Sequence, residues 1–304
     1  MSASGHPLVS TNVAFTPPLD LAASLAPLGR TGDDLIDRFA GTRALRTLRL
    51  GPIEDLVPYA AEITDGSDRP ALAVHVGSVH ADRVGDVGRA VQETLLTDRS
   101  ALADLAATDE PVARLARRFP GLVPVLFGDP LTALIRSISA QQVNLRWAAT
   151  VRARLAQRYG TRHRLGDWEV WSLHPQPLAE ARLEDLRELQ LTTAKARAVI
   201  AVAQAAQAGE LRLSDLVAMD DDQLIAHLAG LRGIGRWSAE WFLARTLGRP
   251  RVVAGDLGVR KAVGRLYGTP VMPSEAEVRR LTAHWGAAAT HAQALALHDL
   301  ALQP

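Results

Sequence analysis

Cysteine is absent from the 304 residues, which excludes disulfides, thiolate metal sites and any cysteine-ligated iron–sulfur cluster. Lysine is nearly absent, since only Lys195 and Lys261 occur. No apolar run is long and uncharged enough to cross a bilayer. The richest stretch, 198–208, is too short and carries Gln204 and Gln207. The first twelve residues lack a basic start followed by an apolar core, so they do not read as a secretory signal. The expected location is therefore the cytoplasm, with no membrane partner. An excess of one charge is also missing. Lys and Arg number 34 against 33 Asp and Glu, for a net charge of +1, so overall charge does not announce a nucleic-acid binder. The histidines form no cluster (His75, His80, His291 and His298 are dispersed), and no metal catalysis is expected.

What is present is an ordinary globular composition, 47% hydrophobic and 22% charged, in a chain long enough for one large domain or two. Residues 1–110 read as an α+β module. Segments 45–50 and 72–79 are strand-like, 65–68 is a turn cluster between strands, and 19–26 and 84–96 are helical. Residues 111–304 read as almost entirely helical. Helices are expected over 131–159, with a break near Gln141–Asn144, and over 195–208, closed by Gly209. Others are expected over 221–229, started by Asp220, and over 237–247, 259–266, 275–285 and 291–302, with Ser214 starting a short helix. The expected fold class is mainly α, with an N-terminal α+β module containing a small antiparallel sheet. The boundary between the two falls near Asp109-Glu110-Pro111.

The most informative stretch is 228–241, LAGLRGIGRWSAEW, where two helices flank a tight turn. Gly233 and Gly235 are expected to take backbone angles closed to other residues and to leave the amides uncovered. Ile234 plugs the turn into the core. The following helix begins near Arg236, so its free N–H groups and positive dipole end suit a phosphate. An ordinary glycine-capped helix turn is the plainer reading of the glycines alone. Between residues 228 and 265, Arg232, Arg236, Arg245, Arg249, Arg251, Arg260, Lys261 and Arg265 face only Glu240 and Asp256. That fits an electrostatic footprint on phosphate; a solvated arginine-rich face is the alternative. Trp237 and Trp241 lie four apart, on one helix face, as core residues or as a wall for a base. Asp256, between Gly255 and a helix, suits an N-cap. Gln141, Gln142 and Asn144 form a polar face in the middle of the first long helical segment. Lys195 and Arg197 read as solvated.

Four segments together resemble the helix–hairpin–helix DNA glycosylase superfamily. They are the hairpin 228–241, the stretch 252–261 (VVAGDLGVRK), the stretch 134–144 (LIRSISAQQVN) and the stretch 191–200 (LTTAKARAVI), in the family's order. The N-terminal module, with Pro18-Leu19-Asp20, resembles that of AlkA-type 3-methyladenine DNA glycosylases II. The resemblance implies the helix–hairpin–helix glycosylase fold and a monofunctional enzyme that removes alkylated purines from double-stranded DNA. In it Asp256 is the catalytic carboxylate, and Trp237 and Trp241 line the base pocket. Gln141, Gln142 and Asn144 contact DNA, with Gln142 as the wedge, and Gly233, Ile234, Gly235 and Arg236 hold a phosphate. The backbone carbonyls of Ala229, Leu231 and Gly233 would hold an optional Na+ or K+. No cofactor is required, and a monomer is expected. Trp237 stands where bifunctional relatives carry a nucleophilic lysine, so hydrolysis rather than lyase chemistry is implied. The chain departs from the family after Trp285. There GAAATHA replaces an aromatic- and arginine-rich segment, and Leu297 falls where a further pocket tryptophan is expected. Two alternatives remain: a glycosylase for an oxidised or deaminated base, and a non-catalytic helix–hairpin–helix DNA-binding protein.

Overall fold

The computed structural model describes residues 7–51 and 55–303. The first six residues of the stretch weighed above as a signal segment lie outside the described residues. The fold is mainly helical, with a five-stranded antiparallel sheet near its N-terminus in the order β1-β5-β4-β3-β2. The strands are β1 Leu8–Ala14, β2 Arg38–Ala40, β3 Arg43–Arg49, β4 Leu56–Ile63 and β5 Ala71–Gly77. Strands β3 and β5 follow the period of two that their sequences carry: Ala44, Arg46 and Leu48, then Leu72, Val74 and Val76, point into the core. The expected turn at 65–68 joins β4 to β5.

Strand β4 shows no such alternation because both of its faces are covered. Helices lie on one side. On the other, Ala60 packs with Leu165 and Val170 of a second ribbon, β6 Gly160–Leu165 paired with β7 Trp168–Leu173. This ribbon corrects the expectation of an almost purely helical chain after residue 111. Its first strand, GTRHRL, is too polar to show a buried face in sequence, and it is held from outside itself. The guanidinium of Arg43 lies 3.7 Å from the Trp168 ring centroid, and His75 meets the same ring edge-on at 5.9 Å.

The helical part is built on local start signals. Segment 131–159 is two helices, Pro130–Ala140 and Leu145–Tyr159. The Asp129 carboxylate accepts from Thr132 N at 3.0 Å to start the first, and Asn144 Oδ1 accepts from Trp147 N at 2.8 Å to start the second. Between them Gln142 takes a left-handed conformation, φ 54°, which neither helix could absorb. Segment 275–285 also divides, into the helix Glu275–Leu281 and a 3₁₀ turn Ala283–Ala288 containing Gly286 at φ 48°. Ser214 is not a cap; it lies inside the helix Leu213–Ala218.

Two cores form. The larger joins the sheet to the helices through residue 243, and the smaller gathers Leu102, Leu105, Val112, Leu115 and Leu122 with residues 244–296. The sheet and the helices are also joined by buried charge. Asp37 meets Arg46 and Arg136, each at 2.6 Å, while Asp34 meets Arg136 at 2.7 Å and Arg152 at 2.8 Å. Among the described residues no helix is long and apolar enough to cross a membrane.

Candidate active site

The hairpin joins the helix Asp221–Ala229 to the helix Arg236–Arg245. Asp220 and Gln223 form a reciprocal capping box at the start of the first helix. The turn closes by Ile234 N donating to Leu231 O at 3.1 Å, and Ile234 is 4% exposed. Gly233 is required twice over: its φ is +81°, and a Cβ there would lie 2.4 Å from the Ala198 Cβ on the helix Thr193–Gln207. Gly235 differs from expectation. Its φ of −101° and ψ of 180° are extended values open to any residue. Its surroundings are also empty, with nothing within 4 Å of a would-be Cβ. What Gly235 provides is an uncovered helix start, since no side chain caps the helix that begins at Arg236.

The three polar residues of the 141–144 turn are used unequally. Gln141 Nε2 donates to Gly233 O at 3.0 Å and to Ser238 Oγ at 3.3 Å, so its side chain ties the turn to the hairpin. Asn144 is engaged as the helix cap. Gln142 is exposed and stands out on its left-handed backbone.

Lys195 is only half-exposed and is engaged, where the sequence suggested a freely solvated side chain. Its Nζ donates to Ser139 O at 3.0 Å and Gln141 O at 2.6 Å, capping the C-terminal end of the helix Pro130–Ala140 with a positive charge. Burial lowers its pKa. Arg197 is exposed. Lys195→Met strips two partly buried carbonyls of their donor, and it is expected to lower unfolding free energy by about 2 kcal/mol. Urea denaturation followed by circular dichroism measures this; a loss of only a few tenths would show the contact to be idle.

The hairpin carbonyls are not saturated by hydrogen bonds. Leu231 O and Gly233 O each accept one hydrogen bond, which leaves each a second lone pair. An all-oxygen set of this kind, completed by Ala229 O, suits a hard cation.

Asp256 stands at the head of the helix Leu257–Leu266. One carboxylate oxygen accepts from Val259 N at 3.0 Å, and the other accepts from Trp237 Nε1 at 3.2 Å. The cap role and the link to the Trp237 indole are therefore filled together, by different oxygens. Asp256 and Trp237 are both half-buried. A Cβ on Gly258 would sit 3.0 Å from Asp256 Oδ1 and 3.4 Å from Leu297 Cδ2, so Leu297 borders the carboxylate. Trp241, one turn below Trp237, stacks on Phe127 with centroids 5.5 Å apart and planes at 23°. A further turn down, the Arg245 guanidinium lies 5.5 Å from the Phe127 centroid. Among the described residues it has no carboxylate partner. Burial, reinforced by Arg136 and Arg46, lowers its pKa to about 10. Phe127 was not singled out from the sequence, and Arg245 was read there only as one of the basic residues facing phosphate. The spacing of Arg245, four residues after Trp241, is the signal that could have found it.

Residues 135–287 match the family model described as HhH-GPD superfamily base excision DNA repair protein. The chain belongs to the HhH-GPD superfamily. Among curated members, a putative DNA-3-methyladenine glycosylase of Bacillus subtilis, YfjP, is 30% identical over 154 residues, covering 50% of this chain and 52% of its own. DNA-3-methyladenine glycosylase 2 of Escherichia coli is 29% identical over 235 residues, covering 76% of this chain and 78% of its own. The chain thus spans from about half to about three quarters of the length of these relatives. A solved 3-methyladenine DNA-glycosylase from Archaeoglobus fulgidus has the same fold, with a TM-score of 0.80 at 22% identity over 95% of this chain and 98% of that one.

Within this HhH-GPD chain the basic segment is less available than its sequence suggests. Arg236 pairs with the buried Glu240 at 3.0 Å. Arg249 and Arg251 pair with Asp221 at 2.8 and 2.5 Å, and Arg265 meets Asp299 at 3.5 Å. Arg260 donates to Pro273 O at 2.8 Å. Arg232 and Lys261 are exposed and have no carboxylate partner among the described residues. The electrostatic footprint on the hairpin side is therefore a few charges set around a helix start rather than a broad basic face. Trp285, at the head of the divergent segment, is 1% exposed. Its Nε1 donates to Tyr267 Oη at 2.7 Å, so it belongs to the core.

Proposed function

We propose that this chain is a monofunctional DNA glycosylase that hydrolyses the N-glycosidic bond of an alkylated purine in double-stranded DNA. The observation that carries the reading is the Asp256 carboxylate, held beside the Trp237 indole and next to a helix start left uncovered. Cleaving a glycosidic bond builds positive charge on the sugar, and a fixed carboxylate stabilises that charge more in the transition state than before it. The same group orients or deprotonates the attacking water. Trp237 and Trp241 wall the extruded base, whose stacking on an indole is strengthened by the positive charge of an alkylated purine. Gln142 fills the space that the base vacates. The amides around Gly233, Ile234, Gly235 and Arg236 receive a phosphate, with a monovalent cation on the carbonyls of Ala229, Leu231 and Gly233. No other cofactor is invoked. The alkylation reading draws on the relatives named as 3-methyladenine glycosylases. Trp237 in place of an amine, with Lys195 engaged by carbonyls, favours hydrolysis by water.

A second reading, a neutral oxidised or deaminated base, is favoured by Arg245. An unpaired guanidinium beneath Trp241 opposes a cationic base and offers donors to a carbonyl oxygen. Release of free base from duplexes carrying 7-methylguanine, 3-methyladenine, hypoxanthine or 8-oxoguanine separates the readings. Methylpurine release above the others is the expected result. A preference for hypoxanthine or 8-oxoguanine selects the second reading, and no release from any duplex leaves a DNA-binding protein without catalysis.

A further inference from the structure

Beside the Gln142 turn lies a shallow groove of about 590 Å³ that the roles above do not use. It runs between Arg30–Thr31 and the first turn of the helix Leu145–Tyr159, and Asn144, Leu145, Arg146 and Trp147 line it. Trp147 is 37% exposed and Leu145 54% exposed, whereas the other five tryptophans are buried or half-buried. More than a third of this indole is left in water at the start of a helix, which forgoes roughly 1 kcal/mol of burial. The side chain is also held in place. Asn144 caps the turn through Trp147 N, and the Arg154 guanidinium lies 5.2 Å from the indole centroid.

The charge around this ring has one sign. No carboxylate lines the groove. Arg146 has no acidic partner among the described residues, and the hydrogen-bond partner of Arg30 is His298 Nδ1 at 3.3 Å. Burial lowers the pKa of Arg30, which a nearby anion would relieve. An exposed aromatic face between uncompensated guanidinium groups matches the chemistry of an unpaired nucleobase and its phosphate. An apolar protein segment would have no use for the two arginines. The groove is also continuous with the turn that carries Gln142. A side chain that takes the place of an extruded base leaves the base opposite without its partner, close to the residues that follow the turn.

We propose that this groove holds the nucleobase left unpaired on the intact strand, stacked on Trp147, with its phosphate between Arg30 and Arg146. The proposal rests on Gln142 entering the duplex as described under the proposed function. It implies that the enzyme recognises both halves of the broken base pair, one base against Trp237 and the other against Trp147.

Binding to two duplexes tests it. One carries a tetrahydrofuran abasic analogue opposite adenine, and the other carries the analogue on both strands. The full-length parent protein is expected to bind the first more tightly, by roughly 5- to 100-fold, the range for stacking one base on an aromatic side chain. Trp147→Ala should erase the difference, and Trp147→Phe should keep most of it. Arg146→Gln should reduce the slope of log affinity against log salt by about one. A parent that does not distinguish the duplexes, or an alanine variant that still does, overturns the proposal. So does equal weakening of both duplexes, which would leave only a backbone contact. Base release from the lesion panel, measured on the same preparations, keeps the two ideas apart. Release by a parent that ignores the orphan base removes the groove and spares the glycosylase; a parent that releases nothing removes the glycosylase reading by itself.

Discussion

Asp256→Asn leaves the protein folded and lowers base release about a thousandfold. Asparagine starts a helix as well as aspartate does, so the hydrogen bond from Val259 N at 3.0 Å survives the exchange. What disappears is the negative charge. At about 4 Å from the developing positive charge on the sugar, and with an effective dielectric near 20, that charge is worth on the order of 4 kcal/mol, or roughly three powers of ten in rate. Asparagine also cannot satisfy both Val259 N and Trp237 Nε1 with its single acceptor oxygen, so the indole loses its partner at 3.2 Å. Single-turnover release of the best base from the panel is the measurement, with affinity for abasic duplex as the control. Release within a few-fold of the parent would falsify the catalytic role and return Asp256 to a helix cap.

The next largest effect is expected at a distance from the site, at Asp37. Its carboxylate lies 2.6 Å from both Arg46 and Arg136. Arg46 comes from β3, and Arg136 from the helix that ends at the Gln142 turn. Burial pushes the Asp37 carboxyl up, but Arg46 and Arg136 push it further down, and it settles at about 2. Asp37→Asn leaves Arg46 buried without an anion, since Asp34 serves Arg136 and Arg152. Breaking one partner out of a buried pair costs about 3–5 kcal/mol, which corresponds to a fall in Tm of ~10 °C. Because the folded pKa lies below the unfolded one, this stabilisation is complete above about pH 4 and is lost as pH falls toward 2. The melting temperatures of parent and variant should therefore converge over that interval. A constant gap from pH 7 to pH 2 would mean that the carboxylate charge is not what joins sheet to helices.

The elements best legible in the sequence were those whose signals are local. Asp220 starts a helix and Gly209 ends one where their side chains and backbone preferences say they should. The hairpin's Gly233, Ile234 and the helix beginning at Arg236 also fall in place, because a tight turn writes its needs into adjacent residues. Strand β4 and the β6–β7 ribbon were missed for the opposite reason. A strand covered on both faces loses its alternation, and a polar ribbon is recognised only by what it leans on. The helix over 131–159 was seen as a unit whose interruption the sequence merely suggested, and the interruption is where Gln142 stands out.

The candidate site divides the same way. Asp256, Trp237 and Trp241 could be named in advance because their segments resemble the family's motifs; the cap position and the four-residue spacing, which are local facts, set only where they stand. Which polar groups remain free for a ligand could not. Gln141 is used by Gly233, Lys195 by Ser139 and Gln141, Arg249 and Arg251 by Asp221, and Arg236 by Glu240. All but one of those partners lie more than twenty residues away. The sequence by itself determined the hairpin, the start of the Asp256 helix and the placing of two tryptophans on one face. Only the tertiary structure decided that, among the described residues, the polar groups of the Gln142, Trp147 and Arg245 side chains take no hydrogen-bond or carboxylate partner. A residue type states what a side chain can bond, and only its neighbours in space decide whether that capacity is already spent.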